Sequence, residues 1–198
     1  MTTPSLRPPC STIAIALAAA LAALTAGCSD EEPVSHSAPI GINLKVKSSD
    51  VGAQATISSD KNITTESGNP WAKFVTDARS HLTHDPSDVD LDQVTLTLGA
   101  TSTGVTSLAE IFTGEVVIQF VMETSNNIVP VAKLTNPTGR GPVAMTVQFD
   151  YAAIPPQDLA KFYAGSYKVV LAGPAAPTFQ SKGADADLQA TFTFQAFE

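Results

Sequence analysis

From Ile40 to the C-terminus, the apolar residues of this chain return at every second position. Ile40, Ile42, Leu44 and Val46 alternate with Gly41, Asn43, Lys45 and Lys47. The same rhythm carries Val116, Ile118, Phe120 and Met122, then Val143, Met145, Val147 and Phe149, and finally Leu188, Ala190, Phe192 and Phe194. A period of two belongs to an extended chain with one buried face, whereas a helix returns to the same face every 3.6 residues. Less regular alternation over Ala53–Ser58, Gln93–Leu98, Ile128–Leu134 and Tyr167–Ala172 brings the set to about eight strands. The chain is therefore expected to be mainly β.

The connections predict antiparallel neighbours. Thr124-Ser125-Asn126-Asn127 and the stretch from Asn136 to Gly141 have turn composition, so Glu115 to Asp150 should run as a meander. The apolar phase slips between Leu91 and Val94, which predicts a bulge or a late strand start. Pro130 has no N–H to give a ladder and predicts an edge strand. Two or three short helices interrupt the sheet. Asn69 and Pro70 open one whose apolar stripe is Trp71, Phe74, Val75, Ala78 and Leu82. Ser107 and Glu110 have capping-box spacing over a single turn. A further helix should run from Pro156 to Ala164 and stop at Gly165.

Eight short strands without a βαβ rhythm point to an antiparallel β-sandwich over residues 40–198. Gly165-Ser166-Tyr167-Lys168-Val169, followed by a loop and a long last strand, resembles the end of immunoglobulin-like domains. That resemblance implies a Tyr167 hydroxyl bonded back to the preceding corner. It does not extend to a disulfide pair or a core-strand tryptophan, and it implies no function.

The first thirty residues follow other rules. Arg7 is the only charge before Asp30, and the twelve residues Ile13–Leu24 are unbroken apolar sequence. A membrane-spanning helix needs about 20, so this run has the length of a signal-peptide core. Thr25-Ala26-Gly27-Cys28 follows, and the whole arrangement resembles the lipobox of bacterial lipoproteins, with Thr25 where that motif usually has Leu. The resemblance implies a signal peptide over 1–27 and a diacylglycerol thioether and acylated amine on Cys28. Cys10 leaves with the signal, so the mature chain would have neither disulfide nor free thiol. Ser29 to Pro39, acidic and rich in Ser and Pro, is expected to be a flexible tether, giving a segment 28–39 ahead of the domain. Ser29 in the second mature position resembles lipoproteins sorted to the outer membrane. Ser29-Asp30-Glu31-Glu32 is also similar to acidic surface-export signals.

Charge narrows the partners. The formal net charge is −8 with Arg7 included, which opposes binding to nucleic acid or to an anionic lipid surface. Attachment to the membrane is expected through the N-terminal lipid, since each buried methylene contributes about 0.8 kcal/mol.

Catalytic motifs do not emerge. Gly139-Arg140-Gly141-Pro142-Val143-Ala144 fits a dinucleotide fingerprint in letters only, because Pro142 opens a strand rather than a helix. The most polar neighbourhood runs from Asp77 to Asp92. His81 and His84, with Asp88, Asp90 and Asp92, come nearest to a metal-ligand set. The three alternate acids have calcium-loop spacing, but Gln93 replaces the turn glycine and Gly99 stands where the closing glutamate belongs. Alternation places Val89 and Leu91 opposite the acids, so the expectation is no metal and no cofactor. Tyr151, Tyr163 and Tyr167 could form a sugar-binding face if their rings were exposed; Phe162, Tyr163 and Leu159, at helical spacing, read more simply as core anchors. The expectation is a non-enzymatic binding or structural module of the cell envelope, with an envelope protein or glycan as partner. The alternatives are a surface adhesin or carbohydrate-binding lipoprotein, and a metal-dependent envelope enzyme.

Overall fold

The structure is a computed structural model that describes residues 34–198. The signal segment, Cys28 and the tether up to residue 33 lie outside the described residues. Eight strands form one antiparallel sheet: β1 (Ser35–Lys47), β2 (Thr56–Asn62), β3 (Asp88–Leu98), β4 (Glu115–Met122), β5 (Ile128–Thr135), β6 (Val143–Val147), β7 (Tyr167–Pro174) and β8 (Asp185–Phe197). Their spatial order is β1-β8-β3-β6-β5-β4-β7-β2. Helices α1 (Pro70–Leu82) and α2 (Leu159–Ala164) complete it, with several 3-10 turns.

The expected division into two separate sheets does not occur. Strand β6 pairs with β3 through Val143–Met145 and with β5 through Thr146 and Val147, so hydrogen bonding runs continuously from one half to the other. At the far edges the sheet curls back on itself, and Ser59 Oγ on β2 donates to the Lys45 carbonyl on β1 at 2.7 Å. The result is a nearly closed, barrel-like sheet. Glu66 blunts the same seam: its carboxylate takes the otherwise unpaired Asn43 N–H at 2.7 Å and the Lys61 ammonium at 2.6 Å. A sheet edge left bare would offer those groups to another chain.

The immunoglobulin-like expectation is also corrected. Strands β7 and β8 are not neighbours, because β8 lies between β1 and β3 while β7 lies between β4 and β2. The Tyr167 hydroxyl is buried and has no hydrogen-bond partner among the described residues. Pro130 does not mark an edge either, since β5 runs between β4 and β6. The proline sits at a bulge, where Ile118 opposes Ala132 but Gln119 opposes Pro130. The tether gives up its end: β1 begins at Ser35, five residues before the expected boundary, because the long β8 supplies ladder partners as far as Phe197. Strand β2, by contrast, starts later than expected, at Thr56.

Other expectations hold. The Glu115–Asp150 meander forms, and the slip near Asp92 is a bulge between Leu91 and Gln93. Asn69 caps α1 by accepting from the Ala72 N–H, and all five stripe residues are buried. Over Ser107 the capping box is only half made. Ser107 accepts from Ala109, but Glu110 bonds the Thr106 N–H instead.

Aromatic rings fill the axis of the barrel. Trp71, without solvent exposure, meets Phe162, Phe194 and Tyr167 edge-on at 5.0, 5.1 and 5.5 Å between centroids. Phe120 packs on Tyr167 at 4.7 Å and on Phe192 at 5.8 Å. Gly165, which ends α2 with φ 71°, makes room for the indole: a Cβ there would lie 2.8 Å from Trp71 Cδ1. An eight-stranded barrel is just wide enough to be filled by side chains or to hold one small ligand. Here side chains occupy it.

Candidate functional site

The polar neighbourhood of residues 77–92 lies at the end of the barrel where β1 starts and β8 finishes. Helix α1 stops at Thr83, whose left-handed conformation (φ 65°) turns the chain toward β3. His81 is exposed on the last turn of the helix, with its ring 5.9 Å from that of His36 on β1. His84 faces elsewhere. Its Nδ1 lies 2.7 Å from the Asp85 carbonyl, and its Nε2 lies 3.8 Å from the Glu198 carboxylate. Asp77 pairs with Lys73, and Asp85 with Arg79. The two histidines expected to act together are therefore turned to different partners.

Alternation on β3 sorts the acids as expected. Val89 and Leu91 are buried, while Asp88, Asp90 and Asp92 are exposed. Asp88 and Asp90 form one wall of an open cleft of about 310 Å³, with Phe149, Asp150, Tyr151 and Ala152 opposite. Asp90 accepts from the Leu91 N–H at 2.7 Å, and Asp150 caps its own turn by accepting from Ala152 at 2.9 Å. These carboxylates are thus partly spent on local backbone. Among the described residues, no three His, Cys, Asp or Glu groups are arranged to hold a metal ion.

Two tyrosines tie this cleft to the rest of the fold. Tyr163 donates to the Pro86 carbonyl at 3.0 Å, and its hydroxyl lies 2.9 Å from that of Tyr151. Burial, then the Tyr151 hydrogen bond, then the charges of Tyr151, Asp88 and Asp85 push the Tyr163 hydroxyl well above its ordinary range, which keeps it a proton donor. Tyr151 and Tyr163 are half-buried and Tyr167 is fully buried. The three do not form an exposed row, and Phe162 and Tyr163 serve as core anchors.

Two polar residues that the chain's patterning did not single out have defined roles here. Asp158, fully buried, accepts from Lys161 at 2.8 Å, Asn127 at 2.6 Å and Ser125 at 3.0 Å. It locks the β4–β5 turn to the start of α2. The Asp158/Lys161 spacing, one helical turn, was its only sequence signal. His36, expected in the tether, lies in β1, where it continues the even-numbered series Ala38, Ile40 and Ile42; that continuity is the sequence signal that could have placed it there.

No helix among the described residues is long and apolar enough to cross a membrane. No family model matches the chain, and no characterised protein or solved structure matches it either.

Proposed function

We propose that this chain is a lipid-anchored protein of the bacterial cell envelope, with a non-catalytic domain that serves as a binding or structural module. The observation that carries the reading is Thr25-Ala26-Gly27-Cys28 placed directly after the apolar run Ile13–Leu24. Cys28 is the lipidation site in this proposal, and the outer membrane is the destination, on its periplasmic or surface face.

The position of β1 supports the reading. Ser35 starts the first strand seven residues after Cys28, a covalent reach of at most ~25 Å. The anchor would hold the α1 end of the domain next to the bilayer and the opposite end, with Lys47 and Asp185, away from it. The filled axis also fits a module that works through its surface. In packing terms we read β1-β8-β3 and β5-β4-β7-β2 as two facing halves hinged on β6, so the rolled sheet is a sandwich in cross-section. The adhesin reading draws no support from the tyrosines, whose rings are spent on the core.

Metabolic labelling with a fatty acid tests the proposal. Wild-type chain expressed in a bacterium should take up label and be processed. Cys28→Ala should take up none and accumulate as precursor. Label at the wild-type level in Cys28→Ala would end the reading.

A further inference from the structure

We infer that His36 and His81 form a two-histidine site for a divalent transition-metal ion, such as zinc or copper(II), which would staple α1 to β1. The two rings come from different elements, one on an inward-facing strand position and one on the exposed face of the last helical turn, and their centroids lie 5.9 Å apart. Two imidazoles on one tetrahedral zinc, with bonds of about 2.0–2.1 Å, have centroids roughly 5.3 Å apart. The observed separation is of that order.

The second observation is an idle nitrogen. His36 Nε2 is shut off from water and has no hydrogen-bond partner among the described residues. A buried polar atom without a partner is costly, and metal coordination is one way to satisfy it. Neutral imidazole is a good ligand for zinc and copper(II) and a poor one for calcium or magnesium, which require oxygen. Phe74, 5.8 Å from His36, packs against one side of that ring. The exposure of His81 leaves the outer coordination positions to water, so the site would be open. Asp77, one turn before His81, is already engaged by Lys73 and is not counted as a ligand.

This site differs from the calcium-like run on β3, which lies on another strand and has oxygen ligands only. It also separates His81 from His84, which has its own carboxylate partner.

The test uses the full chain in detergent, stripped with chelator and titrated with zinc chloride in a calorimeter. One zinc per chain should bind, and thermal stability should rise with it. His36→Gln and His81→Gln should each weaken binding at least tenfold, while His84→Gln should leave it unchanged. Because His81 is exposed, His81→Gln keeps the fold and isolates the ligand role. Copper(II) added in place of zinc should give an electron paramagnetic spectrum with two coupled imidazole nitrogens, reduced to one in His81→Gln. Absence of zinc binding to the wild-type chain would overturn the inference. So would binding that survives His36→Gln and His81→Gln but disappears in His84→Gln.

Discussion

Lys161 Nζ donates to Asp158 Oδ1 across 2.8 Å, and the carboxylate that accepts has no solvent exposure. A buried charge is tolerable only when it is paired and bonded, and this one has three donors. Its carboxyl is held below the usual range, first by the Lys161 bond, then by Asn127 and Ser125, against the opposing effect of desolvation. Glu110 is lowered in the same sense to about 2, first by its Lys182 bond and then by the Thr106 N–H.

These two groups set the expected pH dependence. Both carboxyls bind protons less readily in the folded chain than in the unfolded one, so their stabilisation is complete above the unfolded values of about 4. It is lost as pH falls from there toward 2. The melting temperature should be level above pH 5 and decline below it. Asp158→Asn should melt lower at pH 7 and show a shallower acid limb. Parallel pH profiles for variant and wild type would contradict this.

Tyr167→Phe is expected to be neutral or stabilising. The hydroxyl it removes is buried without a partner among the described residues, and such a group costs about 1–3 kcal/mol. The ring keeps its stacking on Phe162 at 5.4 Å. Tyr163→Phe should go the other way, because its hydroxyl serves both Pro86 and Tyr151. Urea unfolding of the two variants side by side decides the matter, and a clear loss in Tyr167→Phe would be the adverse result.

Trp71→Ala should cost about 3–5 kcal/mol. The indole has no exposure, meets Phe162, Phe194 and Tyr167 edge-on, and donates from Nε1 to the Tyr163 carbonyl at 3.2 Å. Few domains have stability to spare on that scale. Chemical denaturation with an unchanged midpoint would show that the barrel does not depend on its helix.

Calcium at millimolar concentration should leave the melting temperature where it is. Asp88, Asp90 and Asp92 are exposed, and in water their mutual repulsion is small and screened. A native-state calcium site filled at a hundredfold over its dissociation constant would instead add about 2.7 kcal/mol. A rise that disappears in Asp90→Asn would establish one.

Where a strand buries one face, the chain wrote its position plainly. Ile40 to Val46, Val116 to Met122 and Leu188 to Phe194 alternate because every second residue meets the core. Asn69-Pro70 marked the start of α1 through local capping chemistry alone, and the lost phase at Asp92 marked a bulge. Neighbour relations were not legible, because alternation says which face is buried and nothing about which strand lies alongside. Hence β8 appeared to belong beside β7 when it lies between β1 and β3. Pro130 was ambiguous for a related reason, since a missing N–H suits a bulge as well as an edge. Ser35–Pro39 looked too polar to order, but the ladder there is supplied by β8, more than 150 residues away. The burial of Asp158 depends on the β4–β5 turn, about thirty residues away, which alternation does not place.

The pairing of β1 with β8 constrains the order in which this protein can assemble. Thirteen register positions join β1 to β8, and among the described residues β8 is the only strand that shares a full backbone ladder with β1. A chain that emerges N-terminus first must therefore leave β1 unpaired until Asp185–Phe197 arrive, and closing so long a loop slows folding. A domain that needs β8 before β1 can settle secures its first strand last, however early that strand was made.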